Sequence, residues 1–453
     1  MYLKTQKFLV LGASKSGFAV VKYLKENGAK CWVFDELKNP KAQDAIDKLK
    51  ELGVSNLTFR QAEEKLNEID VLILSPGVAI NHELAVKAKR LGKRITGELE
   101  FGFSQFFPPV VAVTGTNGKT TTVTLIDAIL NAAGVKNKLV GNVGVPITSK
   151  LDEVDRETVC ITEISSFQLE SIYAFMPHIT CVLNISPDHL ERHYTMDNYI
   201  FLKKRIFKNQ RESEYCILNF DDEKVRAFFP EVRAKVVWVS LKEKVRGAYL
   251  SEGKLYFFDE YIMDESDLNL SGDHNVYNAL FAICVSKLLG VNNEVIAAAL
   301  KEFKGVKHRV ELVCKKNGIE FYNDSKATNT ASTISALSAI KKPTVLILGG
   351  SEKGENYDGL FEKIKESSVK HVVLTGASRF NMLESSGRVG VADITVTEDF
   401  FIAIKIATLI AADGDAVLLS PACASFDKFS GFEERGDAFI KAVGEICGEE
   451  SVT

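Results

Sequence analysis

Three separate series of short apolar runs, each run ending in a glycine-containing or polar loop, constrain this 453-residue chain more than any other feature. The first series is Lys7 to Leu11, Cys31 to Phe34 and Val71 to Leu74. The second, begun after Pro108-Pro109, is Val110 to Val113, Val159 to Ile161 and Thr180 to Leu183. The third is Val345 to Leu348, Val372 to Leu374 and Ala416 to Leu419. Helix-compatible segments such as Ala19 to Glu26 separate the runs, and this rhythm fits buried parallel strands with crossover helices. The series predict an α/β fold with three sheets and three domains, at residues 1–98, 99–305 and 306–453, in a chain too long for one ordinary core. In open parallel sheets ligands bind beyond the carboxyl ends of the strands, so function is expected in the loops.

Composition narrows the function classes. A hydrophobic fraction of 46% with 26% charged residues predicts a soluble globular protein. No apolar run approaches the ~20 residues of a membrane span, and Phe8 to Leu11 runs into a glycine turn rather than a cleavage site. A net charge of -4 offers no general attraction for nucleic acid. The eight cysteines form no C-x-x-C pair and are expected to be reduced core residues in a reducing, cytoplasmic compartment.

The stretch from Val110 to Thr122 reads as a strand, a tight glycine loop and a helix start in one piece. Gly115 and Gly118 let the backbone approach phosphates, and the following helix directs its free N–H groups and positive end at them. Lys119 is then placed to neutralise β- and γ-phosphates, and the Thr120 hydroxyl to ligate Mg²⁺. The usual phosphate-loop pattern has a further glycine where this chain has Val113. A glycine turn with a solvated lysine is the alternative.

Other polar clusters follow apolar runs. Glu163 falls at the end of Val159 to Ile161, where a carboxylate could complete an Mg²⁺ shell with Thr120. His189, within Asn184-Ile-Ser-Pro-Asp-His, could ligate a second metal or be structural. Asn275 and Asn278 share a helical face at i, i+3, suited to a nucleotide base or phosphate. Helix capping is the other explanation there. Arg309 at the second joint could contact ATP phosphates or be an ordinary surface arginine. In the first domain, Leu11-Gly-Ala-Ser-Lys-Ser-Gly17 has Ser14 where a dinucleotide-binding loop has its middle glycine.

Thr114-Gly-Thr-Asn-Gly-Lys-Thr-Thr121 resembles the ATP loop of the Mur ligases, and the resemblance runs in the family's motif order from Gly12 to Gly436. It implies Rossmann-like first and third domains around a central P-loop-type sheet domain. It implies ATP contacts at Gly115, Thr116, Asn117, Gly118, Lys119, Thr120, Thr121, Asn275, Asn278, Arg309 and Asp324, the last on the ribose. Ser16, Gly17, Asp35, Ser75, Pro76, Gly77, Asn142, Ser165, Gln168 and His189 would bind the UDP-linked substrate. Metal ligands would be Thr120, Glu163, His189 and a carbamylated Lys203, with two Mg²⁺ ions. Lys204 is the alternative if the register slips by one. Tyr322-Asn-Asp-Ser-Lys-Ala-Thr-Asn329 resembles a third-domain signature and places Lys326 near the reaction centre with Lys119, His189 and Lys203.

Leu419-Ser-Pro-Ala-Cys-Ala-Ser425 through Gly436 resembles the hallmark of the D-glutamate-adding member. Thr328, Lys353, Ser425 and the Phe432 backbone would hold D-glutamate. Ser425 could instead cap a helix and Lys353 be a solvated loop charge. The implied activity joins D-glutamate to UDP-N-acetylmuramoyl-L-alanine through an acyl phosphate, by a monomer with no nucleic-acid or membrane partner. Such an enzyme needs no nucleophile of its own, and no Ser or Cys catalytic constellation is visible. The rivals are a folylpolyglutamate-type ligase, an NAD-dependent dehydrogenase and a non-catalytic muropeptide-binding protein.

Overall fold

The computed structural model describes residues 3–37, 40–105, 108–142, 145–270, 272–352 and 356–448. It divides into two compact units, one of residues Met1–Leu268 and Asn275–Phe303, the other of Asn269–His274 and Lys304–Thr453.

The first unit holds two sheets. Strands β1 (Lys7–Leu11), β2 (Lys30–Phe34), β3 (Val71–Leu74) and β4 (Arg94–Gly97) form a parallel sheet in the order β2-β1-β3-β4. Leu11 pairs with both Phe34 and Leu74, so the loops that follow these three strands lie side by side. Phe8 and Val10 face one apolar cluster and Leu9 and Leu11 another, as a sheet covered on both faces requires.

The larger sheet contains β5 (Val110–Thr114), β6 (Asn137–Gly141), β7 (Val159–Glu163), β8 (Ile179–Val182), β9 (Tyr215–Asn219), β10 (Lys235–Ser240), β11 (Gly247–Ser251), β12 (Lys254–Phe257) and β13 (Glu260–Asp264). Its order is β13-β12-β11-β10-β9-β8-β5-β7-β6, parallel from β6 to β11 with two antiparallel strands at one edge. The predicted strands are all present here, and β6 and β9 to β13 extend the sheet beyond them.

Between the two sheets, the short helix Glu98–Phe103 carries two buried carboxylates. Glu98 accepts from the Thr148 N–H and hydroxyl, and Glu100 accepts from the N–H groups of Tyr173, Ala174 and Phe175. Burial raises the Glu98 pKa, against the bonds from Thr148. A charged residue in this position is buried only because its acceptors are filled.

The second unit is built on β14 (Glu311–Lys316), β15 (Ile319–Asn323), β16 (Thr344–Leu348), β17 (Val369–Leu374), β18 (Ile394–Val396) and β19 (Ala416–Leu419), ordered β14-β15-β19-β16-β17-β18. All pairs are parallel except β14 with β15. One cysteine expectation is corrected here: Cys314 and Cys447 are joined by a disulfide. Both lie in one apolar cluster but are 133 residues apart, a pairing no spacing reveals. The other cysteines, at 31, 160, 181, 216, 284 and 423, are buried and outside any disulfide, as expected.

Candidate active site

The turn after β5 is shaped by Gly118, whose φ of +85° suits glycine; a Cβ there would lie 2.4 Å from Asn278 Oδ1. Helix Lys119–Ala132 starts at this residue without a side-chain cap, leaving its first N–H groups facing the loop. Lys119 Nζ donates to the carbonyls of Gly115 (3.0 Å) and Thr116 (2.7 Å). Lys203, buried on helix Met196–Lys204, donates to the same Gly115 carbonyl (2.9 Å) and to Thr114 Oγ1 (3.0 Å). Burial, reinforced by the charge of Lys119, holds the Lys203 ammonium well below the usual lysine range. Lys204 instead pairs with Glu231, so the two candidate lysines are told apart by which way they face.

Register sets the rest of the site. Val113 pairs with Glu163, and Glu163 with Gly141, which brings three loops together. Thr120 Oγ1 donates to Glu163 Oε2 (2.7 Å), and Asn142 Nδ2 donates to Glu163 Oε1 (2.8 Å). These hard oxygen donors suit Mg²⁺, which takes one or two carboxylates and completes its shell with phosphate and water. Among the described residues no cluster of three or more His, Cys, Asp or Glu side chains could hold a metal. Asn278 accepts from Thr122 Oγ1 (3.2 Å) and donates to Asn275 (3.3 Å), so both predicted asparagines stand against the loop. Thr116 bonds Ser186 and Tyr199, and the Asn117 N–H donates to Asn184. Thr121 is buried in the first helical turn.

His189 takes a left-handed backbone with φ of 55° at the start of the short helix Leu190–His193. Its ring lies 3.7 Å from Asp188, 3.5 Å from Glu191 and against Phe167. Ser165 caps the helix Ser166–Leu169 in a reciprocal box with Gln168.

A cavity of about 470 Å³ opens at the carboxyl ends of β1, β2 and β3. Of the residues predicted for the UDP-linked substrate, Ser16, Asp35, Ser75, Pro76, Gly77, Asn142 and Gln168 line it. Gly17, Ser165 and His189 do not. Gly17 has a packing role, since a Cβ would fall 1.7 Å from the Gly12 carbonyl oxygen. The Asp35 carboxylate accepts from the Ala13 and Leu37 N–H groups and so fixes the loop after β1. Asn142 belongs both to this cavity and to the Glu163 cluster, joining the cavity to the phosphate loop.

In the second unit the two quoted signatures meet. Arg435, 2% exposed, donates to Ser325 Oγ and to the carbonyls of Ser325, Cys423 and Ala424; burial lowers its pKa to about 10. Ser325 Oγ in turn donates to the Phe432 carbonyl. Lys326 Nζ sits 4.3 Å over the Phe432 ring. Ser425 Oγ is buried without a hydrogen-bond partner, and Phe432 opens the helix Phe432–Cys447, whose N-cap Gly431 offers no side-chain cap. Thr328 is half-buried in the same loop as Lys326. Lys353 lies outside the described residues, but Ser351 just before it donates to the Ala424 carbonyl.

Asp324 is fully buried, accepting from Ser420 Oγ (2.7 Å) and the Val310 N–H (3.3 Å), with Arg309 3.8 Å away. Burial pushes its pKa up to about 6, against the pull of Arg309. Arg435 was missed by sequence reasoning although it lies inside the quoted signature. Tyr199 was missed too, and only its bond to Thr116 in the fold singles it out.

Models of the Mur ligase middle domain, the Mur ligase glutamate ligase domain and the Mur ligase MurD-like N-terminal domain match residues 113–286, 308–423 and 6–97. The chain is 40% identical over 449 residues to the UDP-N-acetylmuramoylalanine--D-glutamate ligase of Caldanaerobacter subterraneus subsp. tengcongensis, covering 98% of this chain and 100% of the relative. The enzyme of the same name from Clostridioides difficile is 39% identical over 451 residues, at 98% and 100% coverage. The crystal structure of MurF ligase from Thermotoga maritima in complex with ADP shares the fold, with a TM-score of 0.60 at 16% identity over 98% of this chain and 100% of that one. With three domain models matched in order and full-length identity at this level, the chain belongs to the Mur ligase family.

Proposed function

We propose that the chain is an ATP-dependent ligase that adds D-glutamate to UDP-N-acetylmuramoyl-L-alanine in peptidoglycan synthesis. The observation that carries the reading is the bonded series Thr120–Glu163–Asn142, which runs from the phosphate loop to the cavity beyond β1 to β3. A substrate whose nucleotide end fills that cavity can present its L-alanyl carboxylate at the phosphate loop.

The carboxylate oxygen attacks the γ-phosphorus, ADP leaves, and an acyl phosphate results. Lys119 leaves its loop carbonyls for the triphosphate and offsets developing charge, with Arg309. The D-glutamate amine, having lost a proton, then attacks the acyl carbon, and inorganic phosphate departs. Thr120 and Glu163 would hold Mg²⁺, with His189 and carbamylated Lys203 serving a second ion; the metal supplies charge neutralisation at the phosphates. Burial holds the Lys203 ammonium well below the usual lysine range, which favours the carbamate, since only an unprotonated amine adds to carbon dioxide.

For ATP we assign Gly115, Thr116, Asn117, Gly118, Thr121, Asn275, Asn278 and Asp324. For the UDP-linked substrate we assign Ser16, Gly17, Asp35, Ser75, Pro76, Gly77, Asn142, Ser165, Gln168 and His189. Thr328, Lys353, Ser425 and Phe432 receive D-glutamate near Lys326, and the unpartnered Ser425 hydroxyl supports a ligand there. Domain limits are put at 1–98, 99–305 and 306–453. A monomeric, cytoplasmic enzyme without nucleic-acid or membrane partners fits the charge of -4 and the absence, among the described residues, of any helix able to cross a membrane.

The test is phosphate release from ATP with D-Glu, L-Glu, L-Ala, L-Lys or meso-diaminopimelate, with and without UDP-N-acetylmuramoyl-L-alanine. Release requiring both D-Glu and the nucleotide substrate is expected; release indifferent to either overturns the reading.

A further inference from the structure

The loop after β3 forms one wall of the large cavity through Ser75, Pro76, Gly77 and Val78, and its own sheet holds it through the Ser75 N–H on the Leu11 carbonyl and the Val78 side chain packed on the cluster of Leu9 and Leu11. Ser75 is anchored, its hydroxyl donating to the Gly12 carbonyl, but a Cβ at Gly77 would meet nothing within 4 Å. The carbonyls of Gly77 and Val78 are instead taken by Arg192, whose two terminal nitrogens lie 3.3 Å and 3.2 Å from them.

Arg192 is itself fixed. Glu170 receives it in a two-point fork, Nε to Oε1 at 3.0 Å and Nη2 to Oε2 at 2.6 Å, and the guanidinium lies 4.4 Å over the Phe167 ring. Glu170 follows the helix Ser166–Leu169, whose Gln168 lines the cavity. The Arg192 N–H bonds the His189 carbonyl, so the same bracket reaches the segment that carries His189.

We infer that the Arg192–Glu170 pair is a positioning bracket that fixes the Gly77–Val78 wall of the cavity relative to the central sheet and thereby sets affinity for the nucleotide-linked substrate. This rests on the proposed ligase reading for the substrate's identity, not for the bracket itself. Only a planar fork saturates the carboxylate and two diverging carbonyls together; a lysine at the same place is a point charge that cannot. The residue touches no reacting atom, so the loss should fall on substrate affinity rather than on chemistry.

Two variants test it in the full chain, Arg192→Lys and Glu170→Gln, each by two measurements. Hydrogen exchange of the ligand-free protein should show the 75–82 segment exchanging ~5-fold faster or more, with the 115–122 segment unchanged, as expected when a local tether is lost. KM for UDP-N-acetylmuramoyl-L-alanine should rise ~10-fold, with KM for ATP and kcat within about twofold. Unchanged exchange in both variants overturns the bracket, and faster exchange without a change in substrate KM overturns its role in affinity. A parallel rise in both KM values marks general disruption and also counts against it. Failure of the wild type to bind the UDP substrate by calorimetry overturns the ligase reading alone, because the exchange measurement still judges the bracket.

Discussion

The phosphate loop and the Arg435 hub both gather backbone carbonyls around cations, yet they use them in opposite ways. At the loop, half-exposed Lys119 donates to carbonyls three and four residues before it, Thr116 and Gly115. Such local bonds exchange readily for a phosphate, so the charge is held in reserve. Arg435 is sealed from solvent, and its bonds run to Ser325, 110 residues away, and to Cys423 and Ala424. Its charge has nowhere to go and is spent on joining two loops. For these two cations, burial and the sequence distance of the partners, rather than residue type, separate the one that reacts from the one that builds.

The sharpest way to break this comparison is to remove each cation. Lys119→Ala should lower kcat/KM by ~10³-fold or more, the scale of losing a charge on a transferring phosphoryl group. Its melting temperature should hardly move. Arg435→Met should do the reverse first, costing about 4 kcal/mol of stability because several buried carbonyls lose their donor. Affinity for ADP in that variant should stay within about twofold of wild type, measured by calorimetry. A stable Arg435→Met protein with weakened ADP binding would mean that the two regions are not as separate as argued.

The same contrast explains what could be read from the sequence. Every run in the three series became a strand with ends within three residues of those read, because a buried parallel strand must be apolar throughout. Strands β11 to β13 escaped notice: Gly247–Ser251, Lys254–Phe257 and Glu260–Asp264 are half-exposed and mix polar with apolar residues over only four or five positions. Lys119, Thr120 and Glu163 were legible since their chemistry is local or sits at a strand end. Arg435, Arg192 and the Cys314–Cys447 pair were not, since each acquires meaning only from partners that folding brings near.

Two buried ionisable groups extend the comparison to pH. Lys203 has a depressed pKa, so below 10.5 the unfolded chain carries a proton that the folded chain resists, and stability rises with pH toward 10.5. Asp324 is the opposite case. Its pKa is raised from 3.8 to about 6, so the folded chain holds the extra proton between those values and stability falls as pH rises through them. A shift of that size corresponds to about 3 kcal/mol at most. Thermal melts of Lys203→Met and Asp324→Asn against wild type should therefore show differences that change with pH in opposite directions, the first as pH rises toward 10.5 and the second between pH 4 and 6. Equal slopes would sink the assignment of both groups as buried against their charge.

The smallest effect is the most discriminating. Thr122 and Thr333 are both fully buried and each donates one hydroxyl bond, to Asn278 Oδ1 in one case and to the Ser420 carbonyl in the other, where Thr333 also accepts from Ser420 Oγ. Valine has nearly the same shape, so Thr122→Val and Thr333→Val should each cost about 1 kcal/mol, the net worth of one hydrogen bond. Their functional consequences should differ. Asn278 fills the space beside Gly118, where a Cβ would stand, so freeing it loosens the turn that receives phosphate; KM for ATP should rise about threefold in Thr122→Val. Thr333 bonds the Ser420 carbonyl, and without its hydroxyl Ser420 Oγ still donates to the buried Asp324, so Asp324 keeps its donor and KM for ATP should stay within about 1.5-fold of wild type. If both substitutions alter KM equally, buried hydroxyls in this protein transmit to the nucleotide regardless of region, and the division between recruitable and fixed polar groups does not hold.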